Sequence, residues 1–412
     1  MNNYPILETV DPLLDILPNY PTFAKKEFPA AGFGVLCYLY NSPETFPGAD
    51  KDDNWALLRE MRGIKYDLHT GRVVSRNFQK FFNHGEKPHE CLLTFRESPK
   101  LIARKPLNDP AWWDVEFLDK LDGSMISFVW HKSLGHFVPV TKKGFSEVAS
   151  DCDRWLATEC DASKRYIAAV SHEYEQCTLL FEWLNPAKPI VLQHTEPNLV
   201  LTAARHNVTG EYLHYELLEQ LAHYYNIPLV KKIARVNGAD FNRFITIARE
   251  LQDAEGFVYN VLNHTGRVVQ KGKLKATRYS ELHRANSGMF TGHLLDAVKL
   301  ILQDALDDFL PLLTDFNRER MEALADQVNT NLLAFSQKVF DFCEETRSLD
   351  QKAFALKVQA EVPTEQRKYY FNLRKCNTLS DLVDGMKLSV LNQLHKESDV
   401  PTFHYVLGNQ QQ

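Results

Sequence analysis

Lys120 stands in the segment Lys120-Leu121-Asp122-Gly123-Ser124, between the apolar runs Val115–Leu118 and Met125–Trp130. Both flanks are rich in β-branched and aromatic residues, so the segment reads as strand, tight glycine-containing connection, strand. A lysine placed there presents its amine at a strand end, facing a cleft. Such an amine is a good nucleophile once it has lost its proton, and nearby cations favour that loss. The bland alternative is an exposed lysine ahead of a hairpin turn. Lys273 and Lys275 alternate along a second apolar run and therefore share one face of a strand. Like charges so placed repel unless an anion sits between them; otherwise they are the lysines of a solvated edge strand. Lys271 is in phase with both, so the pair of interest is open to a slip by one position pair. Glu182 and Glu255 lie at strand ends beside apolar residues, where an unpaired carboxylate is costly to bury. Each is a ligand for a bound group or the partner of an arginine.

Positioning these side chains requires a sheet-rich scaffold. Strands are expected at 35–40, 61–68, 72–75 and 78–83, and antiparallel pairs joined by short polar turns dominate up to about Thr141. The period turns helical from Ser146 to Glu175 and returns to strand at 178–183 and 199–204. Helices follow at 215–225 and 240–251, with Asp240 as the expected N-cap of the second. Strands at 256–262 and 267–275 are joined by Asn263-His264-Thr265-Gly266, a hairpin turn by composition. Beyond residue 280 the chain reads as amphipathic helices at 289–312, 315–346, 350–361 and 378–394. The fold class expected is α+β, an antiparallel-sheet domain over 1–285 followed by an all-helical domain over 286–412.

Composition narrows the partners. An apolar content of 44% and a charged content of 24% are those of a soluble globular protein. No signal peptide or membrane-length apolar run is evident, and seven scattered cysteines without a C-x-x-C pair point to a reducing, cytoplasmic setting. Residues 1–280 carry 33 Lys+Arg against 34 Asp+Glu, and the remainder 14 against 19. A polyanionic partner must therefore be gripped by local basic clusters, since there is no global field to hold it.

In chain order the segments Arg62-Gly63-Ile64, Lys80-Phe81-Phe82-Asn83, Lys120-x-Asp122-Gly123, Lys143-Gly144, Phe181-Glu182-Trp183 with Ile190-Val191-Leu192, Arg205 to Tyr212, Glu255-Gly256-Phe257-Val258 and Lys273-Leu274-Lys275 form an ordered set. Over residues 55–285 this set resembles the bacteriophage RNA ligase 1 family, ATP-dependent ligases of RNA and tRNA repair within the covalent nucleotidyltransferases. The resemblance implies an adenylyltransferase domain at 1–285 and a helical domain at 286–412 with a role in RNA specificity. It makes Lys120 the catalytic nucleophile that carries AMP. It makes Arg62, Lys80, Phe82, Gly123, Lys143, Glu182, Glu255, Lys273 and Lys275 the ATP-binding residues, with Glu182 and Glu255 as ligands of Mg2+ or Mn2+. The implied partner is RNA with 5′-phosphate and 3′-hydroxyl ends, cleaved tRNA included, handled by a monomer with no membrane association.

Some roles stay open at this level. Neighbours on a strand point opposite ways, so at most one of Phe81 and Phe82 faces the site. Asp122 is a participant or a turn former, and Gly123 serves backbone conformation before chemistry. In the tail, Arg367-Lys368-Tyr369-Tyr370-Phe371 and Arg374-Lys375 either stack on RNA bases or fill the core of a small bundle. A DNA ligase or a capping enzyme shares Lys-x-Asp-Gly but carries an OB-fold after the last lysine motif, where this chain has helices. A catalytically idle RNA-binding homologue is the rival of a different class, and the intact lysines and glutamates argue against it.

Overall fold

The computed structural model describes residues 4–40, 45–87, 90–93, 110–188, 192, 194–252, 254–277, 294–310 and 315–408. The expected domain boundary at 285/286, the start of the first tail helix at Met289, and Ile190 and Val191 lie outside the described residues. The chain divides into two compact units. One comprises Met1–Tyr38 and Phe46–Asn286, the other Leu39–Thr45 and Ser287–Gln412. The short segment from Leu39 thus belongs with the helical unit, where the Leu39 carbonyl accepts a bond of 3.2 Å from Lys387 Nζ.

The first unit is α+β. In chain order its strands are β1 (Phe23–Phe28), β2 (Phe33–Tyr38), β3 (Ile64–Asp67), β4 (Val73–Ser75), β5 (Phe82–Asn83), β6 (Asp114–Asp119) and β7 (Ser124–His131). There follow β8 (His136–Val140), β9 (Cys177–Leu184), β10 (Asn198–His206), β11 (Lys232–Asn237), β12 (Gly256–Leu262) and β13 (Val268–Lys275). They build three sheets with strand orders β1-β2-β3-β4, β10-β9-β7-β8 and β11-β6-β12-β13-β5. All pairings are antiparallel except the short parallel contact of β13 with β5.

Sequence explains which strands are central. β2 reads Phe-Gly-Val-Leu-Cys-Tyr and is buried along its whole length, whereas its edge neighbour β1 alternates exposure. On β13 the residues Gly272 and Leu274 are buried and Lys271, Lys273 and Lys275 occupy the opposite face. The second sheet is covered by the helices Glu147–Thr158, Cys160–Glu173 and Tyr215–Tyr225. The third is covered by Phe241–Glu250, whose Phe244 ring stacks on Phe117 of β6 at 4.1 Å. Each large side chain so buried contributes about 1.5–3 kcal/mol.

Two local readings differ from expectation. The helix expected from Ser146 to Glu175 is two helices that meet at Glu159, where the backbone leaves the helical region. Ser146 caps the first, its Oγ accepting from Ala149 N at 3.2 Å. Asp240 sits ahead of its helix without capping it; the side chain that caps is Asn237, accepting from Ala239 N at 3.0 Å before a short 3-10 turn.

The second unit is helical among its described residues. Its spine, Asp315–Glu345, buries Met321, Ala325, Val328, Leu332, Phe335, Val339 and Cys343, a stripe of three- and four-residue steps. Arg367–Leu373 is also a helix, and Tyr369 and Tyr370 are buried in the bundle. These two rings are therefore core residues and not a stacking platform for bases. Arg367 and Arg374 satisfy main-chain carbonyls of Val362 and Leu349 at 2.8 and 2.6 Å, which ties both guanidiniums to the bundle. No described helix is long and apolar enough to cross a membrane.

Candidate active site

β6 delivers Lys120 one residue past its end. Asp119 pairs with Phe257 of β12, and Lys120 N donates to Gly256 O at 3.1 Å. That register sets the lysine beside Glu255, and the two side chains form an ion pair. Glu255 is buried, and Lys275 approaches the same carboxylate oxygen at 3.5 Å from the facing end of β13. Gly256 makes this approach possible. Its φ is +139°, and a Cβ there would lie 2.0 Å from the Leu274 carbonyl oxygen.

The turn after the lysine is held from below. Asp122 is buried, and its Oδ2 accepts from Leu192 N at 2.6 Å, while His194 Nε2 lies 2.9 Å from its carbonyl oxygen. Asp122 is thus an anchor for the turn. Gly123 begins the close contact of β7 with β9, where a Cβ would come within 2.5 Å of Trp183 O. The glycine serves strand proximity, and its φ is not in the left-handed region.

Lys120 opens into a cavity of about 500 Å³, a size ordinary for a small-molecule site. Its wall includes Arg62, Gly123, Lys143, Glu182 and Lys273, with Leu118, Met125, Val148, Val230 and Val258 supplying an apolar side. Glu182 arrives there because β9 pairs with β7, setting it opposite Met125. Burial pushes its carboxyl up to about 8; Lys120 and Arg62 pull it down by less, while Glu255 and Asp122 push it further. Arg62 precedes Gly63, whose carbonyl is fixed by Lys65 Nζ at 3.1 Å and Asn77 Nδ2 at 2.8 Å. One guanidinium nitrogen of Arg62, Nη1, is buried without a partner among the described residues. A buried, unsatisfied cationic donor on a cavity wall fits an anionic ligand. Lys273 Nζ lies 5.4 Å from the Phe81 ring centre.

Of the ten residues singled out in the sequence, six line this cavity: Lys120, Arg62, Gly123, Lys143, Glu182 and Lys273. Glu255 and Lys275 join it through their ion pairs with Lys120 and with each other. Lys80 and Phe82 do not line it. They face an adjoining cavity of about 310 Å³, in which Phe82 stacks with the Arg59 guanidinium at 4.8 Å and Lys80 Nζ lies 5.4 Å from the same ring. The aromatic that faces the lysine's cavity is Phe81, because β5 is only two residues long and pairs Phe82 with Gly272. Phe81 and Lys271 line both cavities.

One element escaped the sequence reading. Glu60, Arg76 and Arg205 form a fully buried triad, with Arg76 Nε 3.0 Å from Glu60 and Arg205 Nη2 at 2.6 Å. The guanidiniums also hold the carbonyls of Pro5, Asn77, Val208 and Gly210. This triad fixes the chain from 76 to 80 as it runs toward Phe81. Its members are 16 and 145 residues apart, and no local pattern announces them.

No group of three or more His, Cys, Asp or Glu side chains forms a metal cage among the described residues. Glu182 and Glu255 instead offer two carboxylates on one cavity. That donor set fits Mg2+, which keeps several waters and takes one or two carboxylates together with substrate phosphates.

Comparison with known proteins adds the following. A protein of Thermovibrio ammonificans, provisionally named an RNA ligase, is 26% identical over 349 residues, 82% of each chain. RNA ligase 1 of bacteriophage TS2126 is 31% identical over 238 residues, which span 55% of this chain and about half, 52%, of the phage protein. A solved archaeal ATP-dependent RNA ligase superposes with a TM-score of 0.43 at 16% identity, covering 76% of this chain and 75% of that one. Residues 60–279 match the family described as RNA ligase. That span is more than half of the chain and contains every residue lining the lysine's cavity, so the chain belongs to the RNA ligase family.

Proposed function

We propose that this protein is an ATP-dependent RNA ligase that joins 5′-phosphate and 3′-hydroxyl ends through a lysyl-AMP on Lys120. The observation that carries the reading is a strand-end lysine, ion-paired to Glu255, opening on a cavity whose wall holds Arg62, Lys143 and Lys273. The names of the relatives in the same family support RNA as the polymer. The helical second unit, where DNA ligases and capping enzymes carry an OB-fold, points the same way.

In the first step the amine gives up its proton to water in the open cavity. Its lone pair then forms the nitrogen–phosphorus bond to the α-phosphate, and the nitrogen sheds a second proton to water. The bond from that phosphorus to the oxygen bridging the β-phosphate breaks, and pyrophosphate leaves with the electron pair. Next, an oxygen of the RNA 5′-phosphate attacks the carried AMP, and Lys120 departs and regains a proton. Finally, the 3′-hydroxyl attacks the phosphorus of the RNA end, losing its proton, and AMP leaves. Arg62, Lys143, Lys273 and Lys275 hold phosphate oxygens through these steps and stabilise the charge that builds on them. The apolar side formed by Leu118, Val148, Val230 and Val258 receives the base. Glu182 and Glu255, once the latter is released from Lys120, are the residues that would hold Mg2+ or Mn2+, which when bound neutralises charge on the phosphates. The substrates assigned are broken RNAs, cleaved tRNA among them.

The test is incubation with α-labelled ATP and Mg2+ followed by denaturing electrophoresis. Label is expected on the wild-type chain and absent from Lys120→Ala. Retention of label by that variant sinks the assignment.

A further inference from the structure

A polar ladder crosses the third sheet and ends on a lysine outside the ten singled out above. Glu116 of β6, Asn260 of β12 and Lys271 of β13 are register partners on three adjacent strands. Asn260 Nδ2 donates to Glu116 Oε2 at 3.0 Å, and Lys271 Nζ donates to Asn260 Oδ1. At the other end Lys232 Nζ of β11 stands 3.9 Å from Glu116 Oε1. Glu116 and Asn260 are buried. The Lys271 amine is further confined between rings, 4.8 Å from the centre of Tyr212 and 5.6 Å from that of Phe78. Burial lowers it to about 8, Glu116 drawing it back up and Arg205 pressing it down.

A lysine amine enclosed in this way, with the neutral amide of Asn260 as a hydrogen-bond partner, is costly to keep charged. An anion brought beside it reverses that balance. The position on β13 says which anion. Strand residues rise about 3.3 Å each, so Lys275, Lys273 and Lys271 root their side chains at intervals of about 6.6 Å on one face. Lys275 meets the carboxylate that holds the nucleophile. Lys273 comes next, over Phe81. Lys271 is the member of the row farthest from Lys120, on the wall shared with the cavity of Lys80. A linear triphosphate whose α-phosphorus is at Lys120 runs outward along that row.

We propose that Lys271 binds the distal phosphates of the nucleoside triphosphate, the group that departs as pyrophosphate. The inference rests on the ligase reading for the direction of the row, and it makes Lys271 a residue for the first step only. An RNA end that already carries AMP has no pyrophosphate to lose and does not call on it.

The test uses the full chain and Lys271→Met, which keeps the stem between Phe78 and Tyr212 and removes the cation. Inorganic pyrophosphate is expected to raise the melting temperature of the wild type and to leave that of the variant unmoved. The KM for ATP in self-adenylylation should rise about tenfold or more, the scale of one lost charged hydrogen bond. Sealing of RNA supplied with a preformed 5′-adenylyl group should stay within about twofold, since no pyrophosphate leaves in that step. Equal losses in both reactions, or an unchanged pyrophosphate shift, overturn the proposal. Lys271→Gln, able to keep its bond to Asn260, is the second variant and must behave alike, including where the methionine chain does not fold. A wild type that takes no label from ATP removes the ligase reading instead, and the pyrophosphate shift then decides the binding claim by itself.

Discussion

Glu60→Gln is the perturbation for which the structure gives the clearest magnitude. The carboxylate lies between two guanidiniums that are, like it, shut off from solvent. It accepts from Arg76 Nε at 3.0 Å, from Arg205 Nη1 at 2.8 Å and Nη2 at 2.6 Å, and from Gln79 Nε2 at 3.2 Å. Glutamine matches its size and retains one acceptor oxygen, so packing is conserved and the negative charge alone is lost. Two guanidinium charges are then buried without compensation. Breaking a buried pair in this sense costs about 3–5 kcal/mol. At about 2–4 °C per kcal/mol for a unit of this size, the melting temperature should fall by on the order of 10 °C. The pH dependence provides an independent check. Burial pushes the Glu60 carboxyl up, but Arg205 and Arg76 more than offset that and hold it below its ordinary value. Its contribution is therefore present above the unfolded pKa of about 4.3 and is lost as the pH falls through the lower folded value. Wild type and variant should converge in stability on acidification below about pH 4. Thermal melting at pH 7, repeated at descending pH, reads both effects. A variant that melts within about 2 °C of the wild type at pH 7 refutes the reasoning, because the triad would then be supplying geometry without charge compensation.

Two further outcomes follow from the cavity. Glu182, with its carboxyl raised to about 8, binds a proton more tightly folded than unfolded, so its contribution to stability declines from its unfolded pKa up to about pH 8. Glu182→Gln should be more stable than the wild type at pH 8.5 by about 1–2 kcal/mol, read as a higher melting temperature, while labelling poorly with ATP; equal melting at that pH counts against the assignment. Gly123→Ala places a methyl group within 2.5 Å of Trp183 O, so it should separate β7 from β9 and abolish labelling in a chain that still folds. Wild-type labelling rates in that variant would show that the strands tolerate the separation.

Local features of this chain were legible because local physics sets them. The apolar flanks of Lys120 specify β6 and β7, and the alternation of Lys273 and Lys275 specifies their common face, since a strand turns over at every residue. Relationships set by register were not legible. That Glu255 meets Lys120 follows from Phe257 pairing with Asp119, and nothing within either segment encodes it. The choice between Phe81 and Phe82 failed for a related reason: β5 is two residues long, and its direction comes from the parallel contact with β13. β11 was missed because its exposed isoleucine, arginine and asparagine positions hide an edge strand that, among the described residues, pairs only with β6. For the tail segment from Arg367 to Lys375 composition left two readings open, and the structure selects the core of a bundle for its tyrosines. Basic and aromatic residues interleave there as in an RNA platform, yet its tyrosines are buried and two of its arginines close helix-end carbonyls.

The charge distribution ties these levels together. A chain of net charge −6 does not attract a polyanion over long range, so its affinity for phosphate must be made where the phosphate sits. Under the proposed function the lysine's cavity is where that happens. β13 contributes Lys271, Lys273 and Lys275 from one face, the turn at Thr141–Gly144 contributes Lys143, and the turn just before β3 contributes Arg62. They come from three elements, Lys271 is held by Asn260 and Lys275 by Glu255, and the Glu255 carboxylate, paired also with Lys120, keeps the cluster from repelling itself apart. Cations gathered in this way lose little freedom when phosphate arrives, because the fold has already ordered them. The same arrangement explains why the buried triad at Glu60 matters to a site it does not line. Arg205 holds the Asn77 carbonyl and Gln79 binds the Glu60 carboxylate, so the chain enters Phe81 from a fixed direction, and Phe81 is the ring on which Lys273 rests.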